Sequence, residues 1–220
     1  MTMGRTVPQV LGKGALMVAA AAVAVGGSGR AQAPASGEAV LIQLLRSGGY
    51  VLVMRHAHAP EEPPPPDQAD PANAADERQL DIVGRESAST MGLALRQLGI
   101  PIGEVWSSPT YRARETVLLA GLPVPHLADA LGDKGHSMQA VGTDQGAWLR
   151  AKTDQLPAPD TDTLIVTHQP NMVAAFGQQA GGLTDGEALV FRPNPIGPPT
   201  LIGSTPIDDW PVLAGDPRLR

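Results

Sequence analysis

Four polar features in this chain are of types that do phosphate chemistry when brought together. They are Arg55-His56, the run Ser107-Ser108-Pro109-Thr110-Tyr111-Arg112-Ala113-Arg114-Glu115-Thr116, Thr167-His168, and Gly186-Glu187. Two arginines and two histidines in one pocket specify an anion. Guanidinium groups pair with phosphate oxygens through parallel hydrogen bonds. A histidine flanked by cations has its charged form disfavoured, so it keeps a lone pair at working pH. A neutral imidazole aimed at phosphorus is a nucleophile, and the remaining cations stabilise charge on the transferring group. The protein then supplies the positive charge itself, and the reading calls for no metal and no cofactor.

These features are far apart in sequence, so the elements between them must converge. Ser36 to Arg46 places Val40, Leu41, Leu44 and Leu45 on one helical face, and Gly48-Gly49 stop it. Tyr50–Met54 is an unbroken apolar run, the signature of a strand buried on both faces. Residues 57–79 form a long loop in which Pro63–Pro66 make a stiff spacer. Ile82–Leu98 reads as a helix closed by Gly99, and Glu104–Trp106 as a short strand. Ser108-Pro109 reads as a helix start, with serine as cap and proline at the first helical position. That helix runs to about Ala120. Val124–Leu127 follows as a strand, Ser137–Lys152 as a weaker helix and Leu156–Asp162 as a connector. Thr163–Thr167 is a second buried strand with a helix, Pro170–Gln179, behind it; Ala188–Arg192 and Thr200–Gly203 are late strands. Alternating strands and helices predict an α/β three-layer sandwich with a mostly parallel central sheet. Ligands in such sheets bind beyond the carboxyl ends of the strands, where all four polar features fall.

The chain has 220 residues, 42% of them hydrophobic, enough for a buried core. With no cysteine it has no disulfide framework, thiol nucleophile or cysteine-held metal. Net charge is −6, which argues against nucleic acid as a partner. Residues 1–35 read as a secretory signal peptide. Arg5 and Lys13 flank an apolar run from Ala15 to Val25, too short to span a bilayer, and Ala31-Gln32-Ala33 or Ala33-Pro34-Ala35 offers a cleavage site. An uncleaved anchor is the rival reading of this segment. Arg5, Lys13 and Arg30 are its only charged residues, so cleavage takes the net charge from −6 to −9. What remains, 36–220, reads as one exported catalytic domain, periplasmic or extracellular, without stable membrane insertion; nothing in it signals an oligomeric state.

Arg-His at the end of the first strand, Ser-Ser-Pro-x-x-Arg-Ala-x-x-Thr, a later strand ending in His, and the closing Gly-Glu together resemble the histidine phosphatase superfamily. That resemblance covers most of residues 40–205 and implies the phosphoglycerate-mutase-like fold. It implies that His56 becomes phosphohistidine, with Arg55, Arg112 and His168 completing the phosphate pocket. The lead-in Leu45–Tyr50 resembles small exported bacterial members. Two departures stand out. Ala57-His58-Ala59 replaces the Gly-Glu-Thr or Gly-Asp-Ala often found after the nucleophile, and Gln169 follows the second histidine, so the His-Asp pair of the acid-phosphatase branch is absent. A general acid is unassigned, with Asp129, Asp133 or neither in that role. Good leaving groups such as phosphoramidates need one less.

Other residues carry weaker readings. Asn73 is a substrate-binding candidate through its amide or else a turn former, and Glu187 is a candidate at the pocket rim. Arg112 could alternatively be a solvated helix residue paired with Glu115. Arg114 and Glu115 read as structural, Tyr111 as a loop-facing aromatic, and His126 and His136 as ordinary surface or loop residues. His56-x-His58 is also a metal-ligand spacing, but the barrel of a metal-dependent hydrolase needs about 250 residues. Gly135–Gln139 misses the serine-hydrolase elbow by its last residue, and no nucleotide-binding glycine loop occurs. The expected activity is hydrolysis of a phosphomonoester or phosphoramidate. The alternative is a non-catalytic binder of phosphorylated ligands on the same scaffold.

Overall fold

The computed structural model describes residues 37–73, 76–132 and 143–216. The proposed signal peptide, Asp133, His136 and the Gly135–Gln139 near-motif lie outside them. The described residues form a six-stranded sheet in the order β3-β2-β4-β1-β5-β6. The strands are β1 (Val51–Arg55), β2 (Ile102–Ser107), β3 (His126–Leu127), β4 (Asp162–Thr167), β5 (Ala188–Arg192) and β6 (Thr200–Thr205). Pairings among β3, β2, β4 and β1 are parallel, while β5 runs antiparallel to β1 and β6 to β5. The helices are α1 (Gly37–Arg46), α2 (Ile82–Gln97), α3 (Tyr111–Leu119), α4 (Thr143–Thr153), α5 (Gln169–Phe176) and α6 (Asp209–Gly215).

Strand alternation divides the apolar residues between two cores. Leu52 and Met54 of β1 join Leu164, Val166 and Val190 beneath α1, α2, α3 and α6. Val51 and Val53 face the other way with Ile165, Leu189 and Phe191, covered by α4 and α5. This period of two is the geometry of a pleated strand, and it makes the three layers. Because both faces of β1 and β4 are covered, Val51–Met54 and Leu164–Val166 are unbroken apolar runs.

Three local expectations change. The third helix begins at Tyr111, after an extended Thr110, and Ser108 does not cap it. Its first N–H, from Tyr111, donates to the Glu77 carboxylate at 2.7 Å, so the cap comes from the long loop. The strand expected over Val124–Leu127 is only His126–Leu127, an exposed edge. The helix behind β4 starts at Gln169, capped by extended His168, and ends at Phe176 before a short 3₁₀ turn, Gly177–Ala180. No helix among the described residues is long and apolar enough to cross a membrane.

Candidate active site

Register explains the convergence. Arg55 pairs with Thr167 across β1 and β4, and Ser107 with Val166 across β2 and β4. The residues that follow, His56, Ser108 and His168, therefore emerge side by side at the carboxyl edge of adjacent parallel strands. The His56 N–H donates to the Thr167 carbonyl at 3.0 Å, and the Ser108 N–H to the Val166 carbonyl at 2.9 Å.

The imidazoles of His56 and His168 lie with ring centroids 5.1 Å apart at an interplanar angle of 64°. Both residues are buried, at 3% exposure. Arg112 spans them. Its Nε–H donates to His56 Nε2 at 3.1 Å, and its Nη2 reaches His168 Nδ1 at 3.2 Å. These contacts assign the tautomers. His56 Nδ1–H donates to the Ala57 carbonyl at 2.7 Å, which leaves the lone pair on Nε2. His168 accepts from Arg112 at Nδ1, so its Nε2–H donates to Ser108 Oγ at 2.9 Å.

Ser108 thus orients the second imidazole instead of capping a helix. The approach is close: a Cβ at Gly132 would meet Ser108 Oγ at 2.0 Å. Thr116, the last residue of the long polar run, holds the segment after His56. Its hydroxyl accepts from the Ala57 N–H at 3.1 Å and donates to the Arg112 carbonyl at 2.8 Å. Arg112 is not a solvated partner of Glu115. Glu115 is buried, pairs with Arg85 and accepts from the Leu80 N–H at 3.0 Å, fastening α3 to the start of α2.

Burial first, then the Arg112, Arg55 and Arg78 charges, push the His56 imidazole from its ordinary 6.5 down to about 3. Burial, then His56 and Arg112, hold His168 well below the ordinary value. Both rings are therefore neutral at pH 7. Arg112 comes down to about 10, chiefly through burial and then the Arg78 charge, and remains a cation.

Arg55 sits at the pocket with its guanidinium tied to the Leu183 carbonyl and to Asp185. Arg78, in no motif, is a further cation whose charge acts on both imidazoles and on Arg112. The Ala59 and Pro60 carbonyls anchor it. A basic residue just before the cap of α2 was the available signal for it. Asn73 is buried and engaged within its own loop. Oδ1 accepts from the Glu77 N–H at 3.0 Å and Nδ2 donates to the Glu77 carbonyl at 2.7 Å, so Asn73 acts as the turn former. Glu187 is likewise engaged locally, accepting from Thr184 N–H and hydroxyl, while its backbone carbonyl receives the Arg55 N–H. Asp129 is exposed in a 3₁₀ turn. His58 pairs with Asp81 at 2.9 Å, and among the described residues no group of three or more His, Cys, Asp or Glu could hold a metal ion. A cleft of about 700 Å³ opens elsewhere on the long loop, with Pro63, Pro65, Leu80 and Arg85 in its walls, so the proline run is wall as well as spacer.

Neither a protein-family profile nor a curated protein matches the chain. Among solved structures, the protein histidine phosphatase SixA complexed with tungstate superposes with a TM-score of 0.53 at 19% identity, over 73% of this chain and 98% of that one. A phosphoserine phosphatase from Entamoeba histolytica, complexed with 3-phosphoglyceric acid, gives a TM-score of 0.44 at 11% identity, over 71% and 96%. The chain therefore has the phosphoglycerate-mutase-like α/β fold of that SixA structure, with its paired histidines and Arg112 at the carboxyl edge of the sheet.

Proposed function

We propose that the protein is a histidine-type phosphatase that hydrolyses a small phosphomonoester or phosphoramidate through a covalent phosphohistidine on His56. The observation that carries this reading is the arginine bridge between two neutral, buried imidazoles whose tautomers leave a lone pair on His56 Nε2. As substrate binds, the Arg112 Nε–H moves from Nε2 to a phosphoryl oxygen; Nε2 then attacks phosphorus, and the bond from phosphorus to the leaving oxygen or nitrogen breaks with its electron pair. Arg55 and Arg112 stabilise the charge spread over the phosphoryl oxygens, and His168 holds the Arg112 guanidinium in place through Nδ1. Water then attacks phosphorus, the phosphorus–nitrogen bond breaks with its electron pair returning to Nε2, and inorganic phosphate leaves with the water's oxygen and protons, so His56 is again the neutral ring.

The ring nitrogens are occupied by Arg112, the Ala57 carbonyl and the Ser108 and Thr110 hydroxyls. With no carboxylic acid assigned to the leaving group, phosphoramidates and aryl esters are the expected fast substrates. Export is a further part of the reading, supported by the basic, apolar and A-x-A-bearing segment 1–35.

The test is a quench in alkali after incubation with labelled aryl phosphate. Acid-labile label is expected on the wild-type chain and none on His56→Ala; label on that variant would remove His56 from the nucleophile role. Turnover is expected to survive EDTA, and loss restored by zinc would favour metal-dependent hydrolysis. Binding of phosphate without turnover of any aryl phosphate would leave the non-catalytic binder.

A further inference from the structure

We infer that Asp185 is a positioning residue for Arg55, holding its guanidinium at the phosphate pocket from the turn that precedes β5; this rests on the hydrolytic reading above. The turn Leu183–Glu187 grips the first catalytic pair by main chain and side chain together. The Arg55 N–H donates to the Glu187 carbonyl at 3.1 Å, and the Gly186 N–H to the His56 carbonyl at 2.9 Å. Arg55 Nη1 donates to the Leu183 carbonyl at 2.9 Å, and Nη2 meets Asp185 Oδ1 at 2.6 Å. The turn is itself closed by the two Thr184 bonds to the Glu187 carboxylate and by Gly186 at φ +73°, where a Cβ would meet Ile207 at 2.7 Å.

The same carboxylate faces other polar groups. His58 Nε2 lies 3.9 Å from Asp185 Oδ2, and its other ring nitrogen is held by Asp81, the cap of α2. The Asp185 charge also favours the cationic form of Arg78, whereas Arg55 and Arg78 each disfavour that of Arg112. The three guanidinium groups whose charges act on the His56 imidazole repel one another, and one carboxylate among them offsets that repulsion. A guanidinium has five N–H donors in a fixed fork. One is on Leu183, while Asp185 Oδ1 stands against Nη2 as a buried ion-pair partner outside hydrogen-bond geometry, so the carboxylate fixes the guanidinium by charge and the remaining donors are left for phosphoryl oxygens. Asp185 touches no reacting atom in this arrangement; it acts through Arg55.

The experiment is a double-mutant cycle of wild type, Arg55→Ala, Asp185→Ala and the pair, with Asp185→Asn beside it. Two readouts are used: kcat and KM on p-nitrophenyl phosphate, and calorimetric affinity for inorganic phosphate. Asp185→Ala is expected to lower kcat/KM by about 10- to 100-fold, the scale of a misplaced catalytic group. Asp185→Asn, which keeps the shape and loses the charge, is expected to recover only a small part of that loss. In the Arg55→Ala background the Asp185 substitution is expected to change kcat/KM by less than about twofold, because residues acting as a unit are not additive. Losses that multiply independently, or an Asp185→Ala variant with full kcat/KM, would overturn the inference. If the Ala variant melts early, Asp185→Ser takes its place in the cycle. If wild type turns nothing over, coupled phosphate affinities uphold the positioning role and only the hydrolytic reading fails. Additive affinities, or no phosphate binding, overturn the role of Asp185.

Discussion

Arg112 does two jobs with one planar group, and lysine cannot copy them. Its Nε and Nη2 reach separate nitrogens on separate rings, at 3.1 and 3.2 Å. An ammonium is a point donor on a flexible stem, so Arg112→Lys is expected to lower kcat/KM by about 100-fold or more, as loss of a preorganised donor does, while the fold persists. Steady-state kinetics with a circular dichroism control checks this. The neutral rings give a second expectation. Since His56 titrates near 3 and His168 well below the ordinary value, neither ring proton signal is expected to move between pH 5 and 8 in an NMR titration. A midpoint near 6.5 for either would contradict the burial argument. Arg55, His56, Arg112 and His168 were legible in the sequence because each lies at a strand end or in the first turn of the helix behind one. Arg78, Glu77 and Asp185 were not, since each acts from a loop or turn whose path depends on tertiary contacts.

At the scale of elements, the site depends on two close approaches that only glycine permits. A Cβ on Gly92 of α2 would meet the Ala120 carbonyl oxygen at 1.9 Å, and one on Gly84 would meet the His58 carbonyl oxygen at 2.1 Å. Both obstacles are backbone, so something must move. Gly92→Ala is expected to cost roughly 1–3 kcal/mol of stability, the usual price of overpacking, and to leave KM of the folded protein unchanged. Gly84→Ala pushes on the segment two residues beyond His56, so its kcat is expected to fall more than its melting temperature does. Measuring both quantities on both variants separates the cases, and the reverse pattern would place the sensitive contact elsewhere. The strands and long helices were readable from periodicity, whereas the start of α3 was misread. A Ser-Pro pair carries a strong local capping signal, but the Ser108 hydroxyl is taken by His168 and the helix is capped from Glu77, 34 residues upstream.

For the molecule as a whole, buried titratable groups shape stability against pH from opposite sides. His56 titrates at about 3 when folded and at 6.5 when unfolded, so the unfolded chain binds more protons between those values and stability is lost as pH falls through that window. His168 acts in the same direction. Asp162, at the start of β4, is raised by burial to about 7, so its contribution is present at low pH and lost as pH rises toward 7. Each group changes stability by at most about 1.4 kcal/mol per pH unit within its window. Glu115 and Asp154 are raised by burial as well and act with Asp162, so the imidazoles go unopposed only below about pH 4, and there thermal melting is expected to rise with pH. The gap between Asp162→Asn and wild type is expected to shift in favour of the variant from pH 5 to 8. A gap that stays constant would show that Asp162 ionises alike in both states.

By itself, the amino-acid sequence determined the alternation of buried strands and helices and the polar residues at their ends. Both are local: apolar runs and periodicity record which faces are covered, and a residue just past a parallel strand lies on the ligand-binding edge. Only the tertiary structure decided which nitrogen of each histidine carries the proton, that Arg112 bridges the two rings, and that the Arg78 charge acts on both. Those facts depend on distances between segments far apart along the chain, such as the 128 residues between Arg55 and Leu183, and such distances are set by packing and register.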